Sequence, residues 1–244
     1  MKSTIALSMH KAGSSIADRI FTKIARERGY ELDLISTRVS DSPLSEPEFY
    51  REYQSQMKTE GVYYGMARHP QCHELEILPK LRVLIQVRDP RDCITSMYYS
   101  FANSHVPPRD PTKLEAFEKR RAEFQAIDID VWAVKEARNY LKRLEKLEAV
   151  INSHSEVQML TYEEMVQDTP AWLEKVLTFF DQPMTDRLQR VLEPHLDFSV
   201  STEDVSKHKR QVSPGDHRRK LKPETIAQMN EVLAPTMRVF DYSV

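Results

Sequence analysis

Leu81-Arg82-Val83-Leu84-Ile85-Gln86-Val87, followed without a break by Arg88-Asp89-Pro90-Arg91-Asp92, is the stretch that decides the fold class. Leu81, Val83, Ile85 and Val87 fill one parity of the run and Leu84 stands in the other, the pattern of a strand covered on both faces in a parallel sheet. A helix starts at once behind it. Asp89 is a good N-cap, Pro90 suits the first helical position, and Asp92 lies at the positive end of the helix dipole. Ile94, Met97, Tyr98 and Phe101 give that helix its apolar face.

The same strand-then-helix rhythm extends in both directions. Upstream, Thr4–Met9 is a short β-prone run closed by His10-Lys11-Ala12-Gly13-Ser14-Ser15, and a helix follows with Ile16, Ile20 and Ile24 in one row and Ala17, Phe21 and Ala25 in the next. Gly29 ends it as a C′ glycine. Leu32–Ser36 reads as a second strand, Ser40–Pro47 as a polar loop and Val62–Ala67 as a third strand. Downstream come a proline-rich break at Val106–Pro111, a long helix over about Asp130–Ile151, a fifth strand at Glu156–Thr161, helices near Pro170–Phe180 and Thr185–Leu192, and a closing helix over about Pro223–Phe240. Strands alternating with helices predict one α/β domain over residues 1–244, three-layered α/β/α around a mostly parallel sheet of about five strands. In such sheets ligands bind beyond the carboxyl ends of the strands.

Composition narrows the function. At 244 residues the chain needs no disulfide or metal staple to bury a core. Its longest apolar runs fall far short of the roughly 20 residues of a spanning helix, and Met1–Leu7 is too short an apolar stretch for a signal peptide. Two cysteines, Cys72 and Cys93, suggest a reducing compartment, so a cytoplasmic protein is expected. The net charge of −2 demands neither nucleic acid nor membrane. The basic stretch Val205–Lys222 lacks the interleaved aromatic platforms of a nucleic-acid surface, and no Cys/His spacing marks a zinc site.

Two turns carry chemistry. After the first strand, backbone N–H groups at a helix N-terminus, with Lys11 and the hydroxyls of Ser14 and Ser15, form an anion site whose Gly13 admits a phosphate closely. The lysine precedes the glycine, so this is not a Walker A loop. After the fourth strand, Arg88 stands at a buried strand end, where a guanidinium needs an anionic partner.

Together, in this order, these segments resemble the sulfotransferase family, whose donor is 3′-phosphoadenosine 5′-phosphosulfate (PAPS). The family's 5′ loop, roughly Tyr-Pro-Lys-Ser-Gly-Thr-Thr-Trp, is matched by Met9-His10-Lys11-Ala12-Gly13-Ser14-Ser15-Ile16. Its 3′-phosphate motif, Arg-[Asn/Asp]-Pro-[Lys/Arg]-Asp with a later Ser and Tyr, is matched by Arg88-Asp89-Pro90-Arg91-Asp92, Ser96, Tyr98 and Tyr99. The family's catalytic His corresponds to His69, its Tyr-Glu-[Asp/Glu]-Met to Tyr162-Glu163-Glu164-Met165, and its C-terminal Arg…Gly-Asp to Arg210 and Gly215-Asp216. Ile16 stands where the family has an adenine-stacking Trp, and Gln211-Val212 where it has Lys-Gly.

The resemblance implies a P-loop nucleotide-kinase-like fold and transfer of a sulfuryl group from PAPS to a hydroxyl, or an amine, of a small-molecule or carbohydrate acceptor, without a metal. His69 would be the general base, with His73 and Glu74 as its nearby rivals, and Lys11 would stabilise the leaving group. Lys11, Ala12, Gly13, Ser14 and Ser15 would hold the phosphosulfate, Arg88, Ser96 and Arg210 the 3′-phosphate, and Tyr162 would lie near the adenine. Thr225-Ile226-Ala227-Gln228 resembles part of the family's dimerisation motif, which makes a homodimer possible. The alternatives are a catalytically silent nucleotide-binding scaffold and a P-loop-type kinase.

Overall fold

The computed structural model describes residues 1–105, 107–108, 111–196, 198 and 213–243, with the backbone alone at 111–113. The described chain divides into two compact units, residues 1–88 with 145–197 and residues 89–144 with 198–244.

The first unit holds the whole sheet. Its strands are β1 (Thr4–Ser8), β2 (Glu31–Leu32), β3 (Val62–Ala67), β4 (Arg82–Val87) and β5 (Val157–Thr161). They run in the order β2-β3-β1-β4-β5, and every pairing is parallel. The central strands are almost wholly buried, as their apolar runs require. Gln86, a polar residue near the carboxyl end of β4, is fully buried; its Oε1 accepts a hydrogen bond from Trp172 Nε1 at 3.2 Å, while its Nε2 finds no partner among the described residues. Helix α1 (Ser14–Arg28) buries Ala17, Ile20, Phe21, Ile24 and Ala25 of the two rows legible in the sequence and leaves Ile16 half-buried, and Gly29 closes it in the left-handed conformation. Phe21 stacks on Trp172 with ring centroids 5.6 Å apart.

The segment after β2 departs from expectation. Leu32–Ser36 is not a strand: β2 stops at Leu32, and α2 (Ile35–Asp41) begins three residues later. Asp33 turns the chain there, its carboxylate accepting from Arg38 Nε at 2.6 Å and from the Tyr53 hydroxyl at 2.7 Å. Ser40–Pro47 is not one continuous loop either. Ser45 and Glu48 form a capping box that starts α3 (Glu46–Tyr53), whose Phe49, Tyr50 and Tyr53 are buried.

The second unit is helical. Helix α4 (Pro90–Tyr99) is capped by Asp89, whose side chain accepts from Arg91 N, and runs on into one turn of π-helix at Ser100–Ser104. Helix α5 (Pro111–Ala126), which the sequence reading leaves out, follows, and then α6 (Ile129–Ser153), whose last residues belong to the first unit. The first unit continues with α7 (Tyr162–Gln167), α8 (Thr169–Phe179) and α9 (Asp186–Leu192); α10 (His217–Lys220) and α11 (Pro223–Met237) complete the second. Within it, buried Asp92 accepts from Gly215 N at 2.7 Å, from His217 N at 2.9 Å and meets His217 Nδ1 at 2.6 Å. The central five-stranded parallel sheet flanked by helices is the α/β architecture expected from the sequence, P-loop-like in its strand order.

Candidate active site

The sheet registers bring four chain segments to one edge. Leu7 of β1 is paired with Ala67 of β3, Ser8 with Gln86 of β4, and Val87 with Thr161 of β5. The residues that leave these strands at their carboxyl ends are therefore Met9–Ser15, Arg68-His69, Arg88 and Tyr162. The strand order turns back beside β1, which is where open α/β sheets place their ligand crevice.

The turn after β1 has an unusual backbone. Lys11 and Gly13 both adopt φ +72°, and Gly13 is the N-cap of α1 with no side-chain cap bond. A left-handed lysine costs about 1–2 kcal/mol and is held only by its surroundings, a feature that concentrates at ligand sites. No acidic side chain occupies the first turn of α1, so its N–H groups and positive dipole end suit an anion. Gly13 is required twice over. Besides its φ, a Cβ there would stand 2.6 Å from Tyr162 Cδ2 and 2.9 Å from Met165 Cε.

Around this turn the first unit gathers two more of the expected residues. Arg88 is nearly buried, lays its guanidinium 4.2 Å from the centroid of the Tyr162 ring, and donates from Nη1 to the Lys11 carbonyl at 3.3 Å. Arg68, between β3 and His69, donates from Nε to Ser14 Oγ at 2.8 Å and pairs through Nη2 with Asp18 at 3.6 Å. Asp18 in turn accepts from Met66 N at 3.0 Å. Burial pushes the Asp18 carboxyl above its ordinary pKa despite Arg68 beside it. Lys11, Ala12, Gly13, Ser14, Ser15, Arg88 and Tyr162 thus belong to one cluster, and Arg68 ties the approach to His69 into it.

His69 caps the 3-10 turn Pro70–Glu74, its Nδ1 accepting from Gln71 N at 3.4 Å. Its Nε2 lies 3.1 Å from Glu46 Oε2, and Tyr50 stacks on the ring. Glu74, one rival base, has its carboxylate engaged by Lys146 Nζ at 2.7 Å. His73, in the same turn, is buried with neither ring nitrogen partnered, and burial pulls its pKa down to about 4. Burial pushes the Cys72 thiol up, which suits packing and not nucleophilic attack. Ser96 is half-buried in the second unit, on α4. Arg210 lies outside the described residues. Among the described residues no three His, Cys, Asp or Glu side chains gather as a metal site.

Sequence reasoning missed Asp18 as the partner of Arg68, and Glu46 and Tyr50 as the companions of His69. The last two were signalled by the Ser45-Glu46-Pro47-Glu48 capping pattern, which announces a helix where a loop was read.

Comparison with known proteins bears on the fold and the family. Among solved structures, a mouse sulfotransferase complexed with PAP superposes with a TM-score of 0.61 at 16% identity, over 97% of this chain and 85% of that one. Retinol dehydratase in complex with androsterone and the inactive cofactor PAP gives 0.60 at 13% identity, over 99% and 82%. The sulfotransferase STF9 from Mycobacterium avium gives 0.53 at 11%, over 100% and 78%. These likenesses show a shared fold. No curated protein matches the sequence. The family of the sulfotransferase domain, however, matches residues 3–241, across both units, and the chain belongs to that family.

Proposed function

We propose that the chain transfers a sulfuryl group from PAPS to a hydroxyl of a small-molecule or carbohydrate acceptor by one in-line displacement. The observation that carries this reading is the cluster of Lys11–Ser15, Arg88 and Tyr162 at the carboxyl edge of the sheet, in a chain of the sulfotransferase-domain family. Residues 1–244 are taken as one catalytic domain, which the match over residues 3–241 supports. A cytoplasmic setting is part of the same reading; among the described residues no helix is long and apolar enough to cross a membrane.

The residues fit the donor. A glycine N-cap, an acid-free first helical turn and Lys11 suit the 5′ end. The 3′-phosphate is assigned, as the family resemblance implies, to Arg88, Ser96 and Arg210, the guanidinium groups being matched to its oxygens. Tyr162 offers a ring face near the adenine, and Ile16 gives only apolar contact where the family has Trp. PAPS supplies an activated sulfuryl group on a bridging oxygen. Lys11 and the α1 N–H groups stabilise the charge that grows on that oxygen as its bond to sulfur breaks. His69 takes the proton of the attacking hydroxyl, a role suited to an imidazole near neutrality.

The test is calorimetry followed by turnover. PAP should bind at least tenfold more tightly than adenosine 5′-phosphate, because the 3′-phosphate adds charge-assisted hydrogen bonds to arginine side chains. Equal affinities sink the assignment of Arg88. A mass-spectrometric screen of hydroxyl acceptors with PAPS should then reveal a sulfuryl mass gain. PAP binding without any such gain would identify a silent nucleotide-binding scaffold instead.

A further inference from the structure

Helix α3 meets His69 twice from one face. Glu46, its first residue, places Oε2 3.1 Å from His69 Nε2. One turn later Tyr50, buried, stacks on the imidazole with centroids 6.1 Å apart and planes 20° apart. Residues at i and i+4 share a helix face, so the spacing is what allows both contacts. The Ser45/Glu48 capping box fixes the start of α3 beside them. On its other side the ring receives the Gln71 N–H at Nδ1.

These contacts determine the ring's protonation. A backbone N–H can only donate, so Nδ1 carries the lone pair; a carboxylate accepts, so Nε2 carries the hydrogen. We propose that Glu46 is a positioning residue for the general base: it holds His69 in the Nε2–H tautomer, leaves Nδ1 as the proton-accepting atom, and stabilises the imidazolium once formed. The logic is that of a carboxylate behind a catalytic histidine, with the two ring nitrogens exchanged. The inference rests on the sulfotransferase reading above.

In the step itself the acceptor's O–H bond breaks and its proton goes to Nδ1, displacing the long 3.4 Å contact to Gln71 N. The acceptor oxygen bonds to sulfur. The bond from sulfur to the bridging oxygen breaks, and its electron pair stays on the leaving 5′-phosphate. The positive charge on the ring then faces Glu46.

Other ionisable groups lie around the ring. Burial keeps the Tyr50 hydroxyl and the Cys72 thiol protonated by raising both, and holds His73 neutral. Lys146 faces His73, and Arg68 adjoins His69 in the chain. Glu46 is a carboxylate in contact with the ring, and its half-exposed position allows replacement without opening the core.

The experiment uses the full chain, with histidine-nitrogen NMR and single-turnover transfer. Wild type, Glu46→Gln and Glu46→Asp are compared, and His69→Gln assigns the signal. The expected wild-type signal is the Nε2–H tautomer. Glu46→Gln should move the His69 titration to lower pH by about one unit, because the ring loses an adjacent opposite charge. It should slow the chemical step about 10–100-fold with PAP affinity unchanged, while Glu46→Asp recovers part of the rate. An Nδ1–H tautomer overturns the proposal, as does an unshifted titration or a wild-type rate in Glu46→Gln. If the wild-type chain moves no sulfuryl group at all, the function reading fails, and the general-base role fails with it. If wild type turns over and Glu46→Gln matches it, only this proposal fails.

Discussion

His73 shows what burial does to a single side chain. Both its nitrogens lack partners, and its pKa falls from 6.5 to about 4. In the unfolded chain it titrates near 6.5, so below that pH the unfolded state binds a proton that the folded state refuses. Its effect on stability is nil above about pH 7.5 and becomes destabilising as pH falls toward 4. The full penalty is about 3 kcal/mol, of which about 2 kcal/mol is present by pH 5. His73→Leu should remove that part of the acid sensitivity, and it costs no hydrogen bond at neutral pH. Urea unfolding at pH 7.5 and pH 5 reads the difference; identical pH dependence in both proteins would contradict the assignment. His69, four residues earlier, escapes this fate because Glu46 and Gln71 serve its two nitrogens. One short turn thus holds one imidazole with both nitrogens served and one reduced to a packing residue. The sequence shows two histidines there and nothing that ranks them by burial.

At the scale of elements, legibility followed the strength of local rules. The strands β1, β3, β4 and β5 and the helices α1, α4, α6, α8 and α9 announce themselves, because apolar periodicity and caps agree at each. Around β2 they conflict. Leu32–Ser36 has strand-like residues, but the side chain of Asp33 bonds Arg38 and Tyr53 and ends the pairing after two residues. Helix α5 has charged residues on every side, with little apolar periodicity to betray it. The motif turns were legible as chemistry, yet their contacts were not. Nothing in the spacing of Gly13 and Tyr162 tells that β1 and β5 deliver them to one place. That placement predicts the outcome at the β1–α1 turn. Gly13→Ala must strain a left-handed φ and push back Tyr162 and Met165, so it should cost about 2 kcal/mol or more. PAP affinity should fall as well, measured by calorimetry on whatever folded fraction urea curves certify. Unchanged stability together with unchanged affinity would show that the turn is not pinned by Tyr162.

For the whole molecule, the fold class, the parallel sheet and the family were readable because the motifs are spread along most of the chain. The division into two units was not, since two of its three boundaries fall between Arg88 and Asp89 and inside α6, where no change of composition marks them. The sheet order has a further consequence, for how the chain comes into being. Each inner pairing joins distant residues: Thr4 with Arg82, and Val83 with Val157. A nascent chain that has reached the end of α5 has made β1 to β4 but owns nothing to cover the outer edge of β4. Closing loops of this length before any reward is slow, and an open apolar strand edge recruits other chains. A chain ending at residue 150 should therefore aggregate on expression, whereas one extended through α9 to residue 196 gains β5, and sedimentation of the two lysates should separate them. The last strand added is the one that makes the sheet safe, and until it arrives the protein depends on not meeting its own copies.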